Sequence, residues 1–525
     1  MKWQKYHVYL FIFILAVSAL IRFPELALRP MHGDEAVNAV KFGNLLESGT
    51  YIYDPHEYHG PTLYYVTLLS AWANSLRSFK DLNEFALRSV PVILGILTIF
   101  SLFFLRKEIT YPILFLSTLF LTISPAVVYY NRYYIHESLL IFLTTSTIIF
   151  GYFFTQKKNV ISAVFIGICL GLMMATKETW IIFFTAMVLS LVIVVKVKPI
   201  LKLLNIRYLI CIILGAIFIF IVFYSAFFTN LQGILDAITT YKNYLSRAGN
   251  AEIHFHPWYY YLKLLLFFKN GSSPMWSEGI LIILSSIGML LVFRKHVKSV
   301  SDITFLRFIS VYTFLLITIF SLVPYKTPWN LLGFMPGLAI MSAFTIVELS
   351  KIWSHRYIRF AFIILIVFGF IHLLWQSLQL NYVYYASPAN PYVYAHPSTD
   401  VFIIQKQVEK VVKAHPDADK LYIQVIAENN DYWPLPWYFR RFNCVGWWDH
   451  VPDEGPPGAV IILNADLESD LIKRLYETPP PGQRDLYLPL FHRYIELRPG
   501  IEFRGYIRKS DWDLVNRSNP KIELD

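Results

Sequence analysis

Two acidic residues, Asp34 and Glu35, stand side by side in the segment Met31-His32-Gly33-Asp34-Glu35-Ala36, directly after the first apolar run. Adjacent carboxylates at the edge of an apolar segment cost free energy, because each charge must stay hydrated or be compensated. Such a pair is typical of chemistry or of ion binding. The alternative is that both acids only stabilise the start of a helix near Ala36, since acids favour helix N-termini.

A second dense polar cluster follows about twenty residues later, at Tyr53-Asp54-Pro55-His56-Glu57-Tyr58-His59-Gly60-Pro61. Both clusters lie between the first two apolar runs, so they share one long loop, residues 24–88. Another long loop, residues 228–277, carries Arg247, His254, His256 and Trp258. The remaining sequence has the composition of a scaffold that positions these loops.

Composition places the chain among polytopic membrane proteins. Of its 525 residues, 56% are hydrophobic and 17% aromatic, which is more apolar surface than a water-soluble domain can bury. The 3 cysteines suggest no disulfide framework. The net charge of +10 does not indicate a nucleic-acid partner, because the basic residues are spread between apolar runs and form no basic domain.

Apolar runs long enough to cross a membrane predict eleven transmembrane helices. They lie near residues 7–23, 89–105, 111–128, 138–154, 160–175, 179–195, 207–227, 278–293, 303–323, 330–350 and 360–378. The first of them has no small-residue cleavage site after it and is predicted to remain as a helix. A further run, 60–76, has a polar stripe at helical spacing, which predicts an interfacial helix in the first long loop.

The loop charges support this count. With eleven spans, Lys and Arg are concentrated in alternate loops, as the positive-inside rule requires for the cytoplasmic side. The short loops on the other side carry one basic residue each, Arg132, Lys177 and Lys326. Counting 60–76 as a span would move Arg106 and Lys107 outside and invert every later loop. The N-terminus is therefore predicted to be cytoplasmic and the C-terminal region external.

Composition changes near residue 380 and predicts the domain organisation. Residues 1–380 form the transmembrane domain, 381–397 a Tyr/Pro-rich linker, and 398–525 an external soluble domain. A helical pattern at 400–414, apolar runs at 421–427 and 459–463, and alternation over 492–508 predict helices and strands there. This mixture is compatible with an α/β or an α+β domain.

Over roughly residues 1–350 the sequence resembles the GT-C class of integral-membrane glycosyltransferases, particularly the protein O-mannosyltransferase and aminoarabinose transferase families (glycosyltransferase families 39 and 83). The matching motifs are Arg29…Asp34-Glu35-Ala36, Gly60-Pro61-Thr62-Leu63-Tyr64-Tyr65, Ala86-Leu87-Arg88-Ser89-Val90-Pro91 and Ser124-Pro125 followed by Asn131-Arg132. Asp54-Pro55…Tyr58-His59-Gly60-Pro61 and Tyr325-Lys326-Thr327-Pro328-Trp329-Asn330 resemble a prokaryotic subgroup associated with lipid-linked-oligosaccharide flipping and N-glycosylation. The chain departs from the family pattern at His136-Glu137, where Asp after Pro is frequent, and at His59-Gly60.

The resemblance implies a GT-C fold and a polyprenyl-phosphate-sugar-dependent glycosyltransferase that moves a hexosyl or pentosyl group. The acceptor would be a hydroxyl of a protein, lipid or glycan at the external face of a prokaryotic cytoplasmic membrane. The partners would thus be a lipid-linked sugar donor, this acceptor and membrane lipids, with no nucleic acid. Two alternatives are a lipid-linked-glycan flippase or export component without transfer activity, and a catalytically degenerate scaffold.

The resemblance implies that Asp34 is the general base, because displacement at a sugar C1 needs one carboxylate to accept the incoming proton. Glu35 and Glu137 are the other catalytic predictions; the alternative for Glu137 is a loop charge paired with Arg132. Four basic residues and one histidine are predicted to bind the donor phosphate. The alternative is that they snorkel to lipid headgroups or are ordinary loop residues. They are Arg88, Arg132, Lys177, His59 and Lys326.

The sequence indicates no cofactor other than a divalent metal ion, with which the residues present are compatible. Asp34, Glu137, His59 and His256 combine the carboxylate and imidazole ligands that such ions take. The alternative is that the His-x-His at 254–256, like His59, consists of ordinary loop residues.

Overall fold

The computed structural model describes residues 5–56, 59–196, 205–249, 254–295, 297, 302–353 and 355–518. The chain forms two compact units. The membrane unit comprises Met1–Leu26, Asn44–Arg77 and Asn83–Tyr394, and the C-terminal unit comprises Ala27–Gly43, Ser78–Leu82 and Ala395–Asp525. Two short segments of the first long loop, one of them carrying Asp34 and Glu35, therefore pack with the C-terminal unit, whereas the sequence analysis places them in the domain 1–380.

Helices account for almost all regular structure before residue 395. They are α1 Lys5–Arg22, α2 Gly33–Ser48, α3 Thr62–Ala73, α4 Glu84–Ser101, α5 Tyr111–Ile123, α6 Pro125–Asn131, α7 Glu137–Gln156, α8 Val160–Met174, α9 Trp180–Val195, α10 Ile206–Tyr224, α11 Gln232–Gly249, α12 Tyr260–Leu266, α13 Gly279–Leu291, α14 Ile303–Leu322, α15 Met335–Ile352 and α16 Arg356–Tyr382.

The apolar helices coincide with the predicted spans. Within the described ranges, 7 helices are long and apolar enough to cross a membrane, or 8 when the bent pair α5–α6 is counted as one span. The shorter apolar helices α8, α9 and α13 occupy the remaining three predicted spans. The prediction of a helical integral membrane protein is confirmed.

The interfacial-helix prediction agrees with the length of α3. This helix has 12 residues and is therefore about 18 Å long at 1.5 Å per residue. The hydrocarbon core of a membrane is about 30 Å thick, so α3 alone is shorter than the core. Because α13, with 13 residues, is nearly as short, the interfacial prediction for α3 still depends on its polar stripe.

A buried carboxylate holds the bend between α5 and α6. The two helices meet at an angle of 61° at Ser124-Pro125, where the proline ends the hydrogen-bond ladder of α5. Glu278 accepts hydrogen bonds from Ser124 Oγ (2.6 Å), the Ala126 N–H (2.8 Å) and the Tyr392 hydroxyl (2.6 Å). The bend places the Tyr-rich segment 129–134 and the start of α7 in the interior of the membrane unit.

The C-terminal unit contains one mixed sheet with helices. Its elements are α17 Val401–Ala414, β1 Ile423–Ile426, α18 Leu435–Tyr438, β2 Val445–Trp448, β3 Val460–Asn464, α19 Glu468–Ile472, β4 Tyr487–Pro489, β5 Glu496–Arg498, β6 Ile501–Arg508 and α20 Lys509–Ser518. The sheet order is β2-β1-β3-β6-β4, and β5 pairs with β6. The strands β1, β2 and β3 are parallel, whereas β6 runs antiparallel to β3, β4 and β5.

The sequence patterns locate most of this unit. The helix predicted at 400–414 is α17. The run at 421–427 contains β1, and the run at 459–463 contains all of β3 except Asn464; the apolar residues of both strands are buried, as those of central parallel strands usually are. The alternation over 492–508 contains β5 and β6. β2 and β4 were not predicted, because they are short and only partly buried.

Candidate active site

In the C-terminal unit, Glu35 caps the start of α2. Its Oε2 accepts the His32 N–H at 3.0 Å, and His32 Nδ1 accepts the Asp34 N–H at 3.1 Å. These reciprocal bonds satisfy two donors at the helix start in the manner of a capping box, with His32 in place of the usual Ser or Thr. Glu35 is completely buried, and its Oε1 lies 3.6 Å from the Arg29 guanidinium. Glu35 therefore has the helix-capping role that was the alternative for both acids.

Asp34 differs from its neighbour in exposure. Its side chain is 55% exposed, while those of Arg29, His32 and Glu35 are 6% exposed or less. The Asp34 carboxylate lies 4.0 Å from His32 Nδ1, and that nitrogen accepts the Asp34 N–H. The backbone of Asp34 is thus held firmly while its carboxylate faces solvent.

A buried histidine completes the surroundings of this motif. The His396 ring lies 6.0 Å from the His32 ring, and its Nδ1 donates to the Pro397 carbonyl oxygen at 2.9 Å. Burial, together with the nearby charge of Arg29 and His32, lowers the pKa of His396 well below 6.5. His396 is therefore neutral at physiological pH and adds no positive charge beside Glu35.

In the membrane unit, His59 is bound to Glu178. The Glu178 carboxylate accepts the His59 backbone N–H at 2.8 Å and its Nδ1–H at 2.9 Å. Burial works to raise the pKa of Glu178, but the charge and the hydrogen bonds of His59 outweigh it and lower the pKa. Glu178 is a site residue that the sequence analysis missed, although it directly follows the predicted Lys177.

The polar segment that precedes α3 is attached to the loop between α8 and α9. The Gly60 N–H donates to the Thr176 carbonyl oxygen (3.0 Å) and the Thr62 N–H to that of Ala175 (3.3 Å). A Cβ atom at Gly60 would lie 1.9 Å from the Ala175 oxygen, so this approach requires glycine. His136 Nε2–H donates to the Gly60 carbonyl oxygen at 3.2 Å.

Lys177 forms a buried ion pair with Glu137. The exposed fraction of each side chain is below 10%, and the pair joins residues 40 positions apart in the chain. The alternative in which Glu137 is a loop charge paired with Arg132 is wrong. The His59 and His136 rings lie 5.0 Å apart, so this ion pair and the His59–Glu178 pair flank one polar region of the membrane unit.

The predicted arginines are also buried, which is the opposite of snorkelling to headgroups. Arg88 donates to the Leu26 carbonyl oxygen at 2.6 Å and is 1% exposed. Arg132 donates to the Glu25 carbonyl oxygen at 3.0 Å, and its guanidinium lies 4.5 Å from the centre of the Tyr382 ring. Both arginines therefore support the chain immediately after α1.

Lys326 and His256 meet in another part of the membrane unit. Lys326 Nζ donates to the carbonyl oxygens of His256 (2.9 Å) and Val323 (2.5 Å) and is 1% exposed. His256 stacks on Tyr260 at 4.1 Å and contacts the Tyr394 hydroxyl at 3.1 Å through Nε2. These contacts fasten the loop 254–256 to the segment before α15.

The four predicted metal ligands do not form a cluster. In the membrane unit, Glu137 pairs with Lys177 while His59 pairs with Glu178. Among the residues that the structure describes, no group of three or more His, Cys, Asp and Glu side chains is arranged to hold a metal ion. This arrangement does not fit a metal at the predicted residues, so the reaction proposed below assigns no step to one.

Comparison with known proteins gives a partial sequence match and extensive structural matches. Residues 51–240 match the family model described as dolichyl-phosphate-mannose-protein mannosyltransferase. ArnT from Cupriavidus metallidurans bound to undecaprenyl phosphate superimposes with a TM-score of 0.60 at 11% identity, covering 94% of this chain and 97% of that one. The chain has the GT-C glycosyltransferase fold.

A second solved structure agrees with this GT-C fold. The archaeal oligosaccharyltransferase AglB from Archaeoglobus fulgidus, in complex with an inhibitory peptide and a dolichol-phosphate, superimposes with a TM-score of 0.52 at 14% identity. The match covers 88% of this chain and 70% of that one. Among curated proteins, none matches this sequence.

Proposed function

We propose that this protein transfers a sugar from a polyprenyl-phosphate donor to an acceptor hydroxyl, with Asp34 as the general base. The match of residues 51–240 to the mannosyltransferase family model supports the reaction class. The similar structures of ArnT and AglB were solved with undecaprenyl phosphate and a dolichol-phosphate, which supports a lipid-phosphate donor. The distribution of basic loops supports an external active site.

In the proposed reaction, the acceptor oxygen forms a bond to C1 of the donor sugar while the bond from C1 to the phosphate oxygen breaks. The acceptor proton moves to the Asp34 carboxylate, and the polyprenyl phosphate departs as a stable anion that needs no general acid. Lys177, whose charge Glu137 balances in the membrane unit, is the proposed contact for the lipid phosphate.

The exposure of Asp34 carries the assignment of the base. A base must be reachable by the acceptor and held in a defined orientation. Asp34 is reachable because its side chain is 55% exposed, and the bond from its N–H to a buried histidine fixes the backbone from which the carboxylate projects. Glu35 is fully buried and already bonded to His32, so it supports the position of Asp34.

The test is a transfer assay in membranes with candidate polyprenyl-phosphate sugars. Asp34→Asn keeps the size of the side chain but cannot accept the proton, so we expect transfer to fall by about 10²–10⁴-fold with undiminished donor binding. Asp466→Asn, at another exposed aspartate of the same unit, serves as the control. Full transfer by Asp34→Asn would refute the assignment, and glycan translocation without transfer in any variant would favour a flippase component.

A further inference from the structure

A cleft opens on the sheet of the C-terminal unit, apart from the Asp34 motif in the chain. β4 and β6 pair as far as Pro489 and Tyr506, and the Leu490 N–H still donates to the Gly505 carbonyl oxygen at 2.7 Å. The chain then leaves β6 and returns at Ile495, whose carbonyl oxygen accepts the Phe503 N–H. The departing segment and β6 enclose an open cleft of about 380 Å³, here called the β6 cleft.

The floor of the β6 cleft is apolar and depends on a glycine. Phe491 is 8% exposed and its ring lies against the backbone of β6. A Cβ atom at Gly505 would lie 2.5 Å from Phe491 Cε2, so a larger residue would displace the ring. Aromatic surface above this floor comes from Tyr506 and from Tyr494, whose side chain is 59% exposed.

The polar groups of the β6 cleft are held in place by partners. Arg504 donates to Glu502 at 3.0 Å and pairs with Glu468, and the Tyr506 hydroxyl donates to the same Glu468. The Tyr494 hydroxyl donates to Glu496 at 2.9 Å. Groups that are already oriented lose little side-chain entropy when a ligand binds.

The balance of charge favours a neutral ligand. Glu502 and Glu468 pair with Arg504, and together with Arg493 these two acids and two arginines sum to no net charge at the β6 cleft. With no net charge, the β6 cleft does not attract an anion in preference to a neutral ligand. Aromatic faces beside paired Arg and Glu side chains instead match a sugar ring, with its apolar C–H face and its hydroxyls that both donate and accept. The volume lies within the roughly 300–1,000 Å³ of small-ligand sites.

We propose that the β6 cleft binds a neutral oligosaccharide. This site is additional to the transfer site of the proposed function and uses none of its residues. Its ligand would be the glycan part of a lipid-linked saccharide or of a glycosylated acceptor.

The test is saturation-transfer NMR on the full chain, in a detergent without a sugar headgroup. The neutral probes are mannotriose, maltotriose and the N-acetylglucosamine trimer, and the anionic probes are inorganic phosphate and sialyllactose. We expect at least one neutral probe to bind, and to bind roughly threefold to tenfold more weakly in Tyr494→Ala and in Gly505→Ala. Leu486→Ala, at an exposed apolar residue beside β4, should bind as wild type.

Three results would overturn the proposal: no neutral probe binds, Tyr494→Ala binds as well as wild type, or phosphate or sialyllactose binds in preference. Because Tyr494 is exposed, its replacement should leave the fold intact. Trisaccharide binding should also persist in Asp34→Asn. Failure of the saccharide site is thereby distinguishable from failure of the transfer reaction. If the natural ligand is a lipid-linked saccharide, that saccharide should bind more tightly with its lipid than without it. If the natural ligand is a glycosylated acceptor, the lipid should make no difference to binding.

Discussion

Asp34 in the C-terminal unit is held in the opposite way to Glu137 and Glu178 in the membrane unit. Asp34 is exposed beside its buried neighbour Glu35. In the membrane unit, Glu137 and Glu178 are both buried, each against a basic partner. A carboxylate that must accept a proton needs access, whereas a carboxylate that supports a scaffold or balances a lysine needs enclosure. Exposure therefore suits Asp34 to accept a proton, whereas burial suits Glu137 and Glu178 to stabilise the structure around them.

Replacing Glu35 should have the largest effect on stability. Glu35→Gln keeps an acceptor for the His32 N–H but removes the charge that faces Arg29 in a buried pair. We expect a loss of about 3–5 kcal/mol in the free energy of unfolding of the C-terminal unit, measured by tryptophan fluorescence in denaturant. Asp34→Asn should change it by less than about 0.5 kcal/mol. Equal losses in the two variants would contradict the contrast between buried and exposed acid.

Lys177 tests the enclosed pair of the membrane unit. Lys177→Met should weaken binding of undecaprenyl phosphate about tenfold or more, since a charge-assisted contact is worth about 1.5–3 kcal/mol. Lys177→Met alone leaves the Glu137 charge buried without its partner. The double variant Lys177→Met/Glu137→Leu removes both charges, so it should be more stable than Lys177→Met but should bind the donor no better. Lys263→Met, at an exposed lysine of α12, is the control. An unchanged donor titration would assign the pair a purely structural role.

Gly60 tests the attachment of the polar segment before α3. Gly60→Ala places a methyl group against the Ala175 carbonyl. We expect the free energy of unfolding of the membrane unit, measured by thermal unfolding, to fall by about 1–3 kcal/mol and donor binding to weaken. Gly151→Ala in α7 meets nothing within 4 Å and should be stabilising by about 0.5–1 kcal/mol. If both substitutions behaved alike, the close approach at Gly60 would not matter for stability.

The smallest effect is a pH dependence in the C-terminal unit. Because the pKa of His396 in the folded chain lies well below 6.5, the unfolded chain binds more protons at lower pH. Stability is therefore full above pH 6.5 and declines as the pH falls below it. His396→Asn should reduce this slope in melting temperatures recorded from pH 7.5 to 5, whereas His450→Asn, at an exposed histidine, should not. A slope that is the same in His396→Asn would contradict the assignment.

Several features could be predicted from sequence because they arise from local composition. Apolar length locates the spans, and the polar stripe of 60–76 distinguishes α3 from them. Asp34 and Glu35 are conspicuous because paired acids are costly beside an apolar helix. Among the C-terminal strands, buried apolar runs locate β1 and β3, and alternation locates β5 and β6, whereas neither pattern located β2 and β4.

The membrane architecture follows from the sequence, since the cost of placing polar groups in hydrocarbon acts on every residue wherever its neighbours fold. Which acid is exposed, and which basic partner each buried acid takes, depends on the packing of the folded chain. Lys177 and Glu137 are 40 positions apart, and His59 and Glu178 are 119 apart. Partner choice over such separations depends on how the helices pack, because a charge attracts any opposite charge that packing brings within a few ångströms.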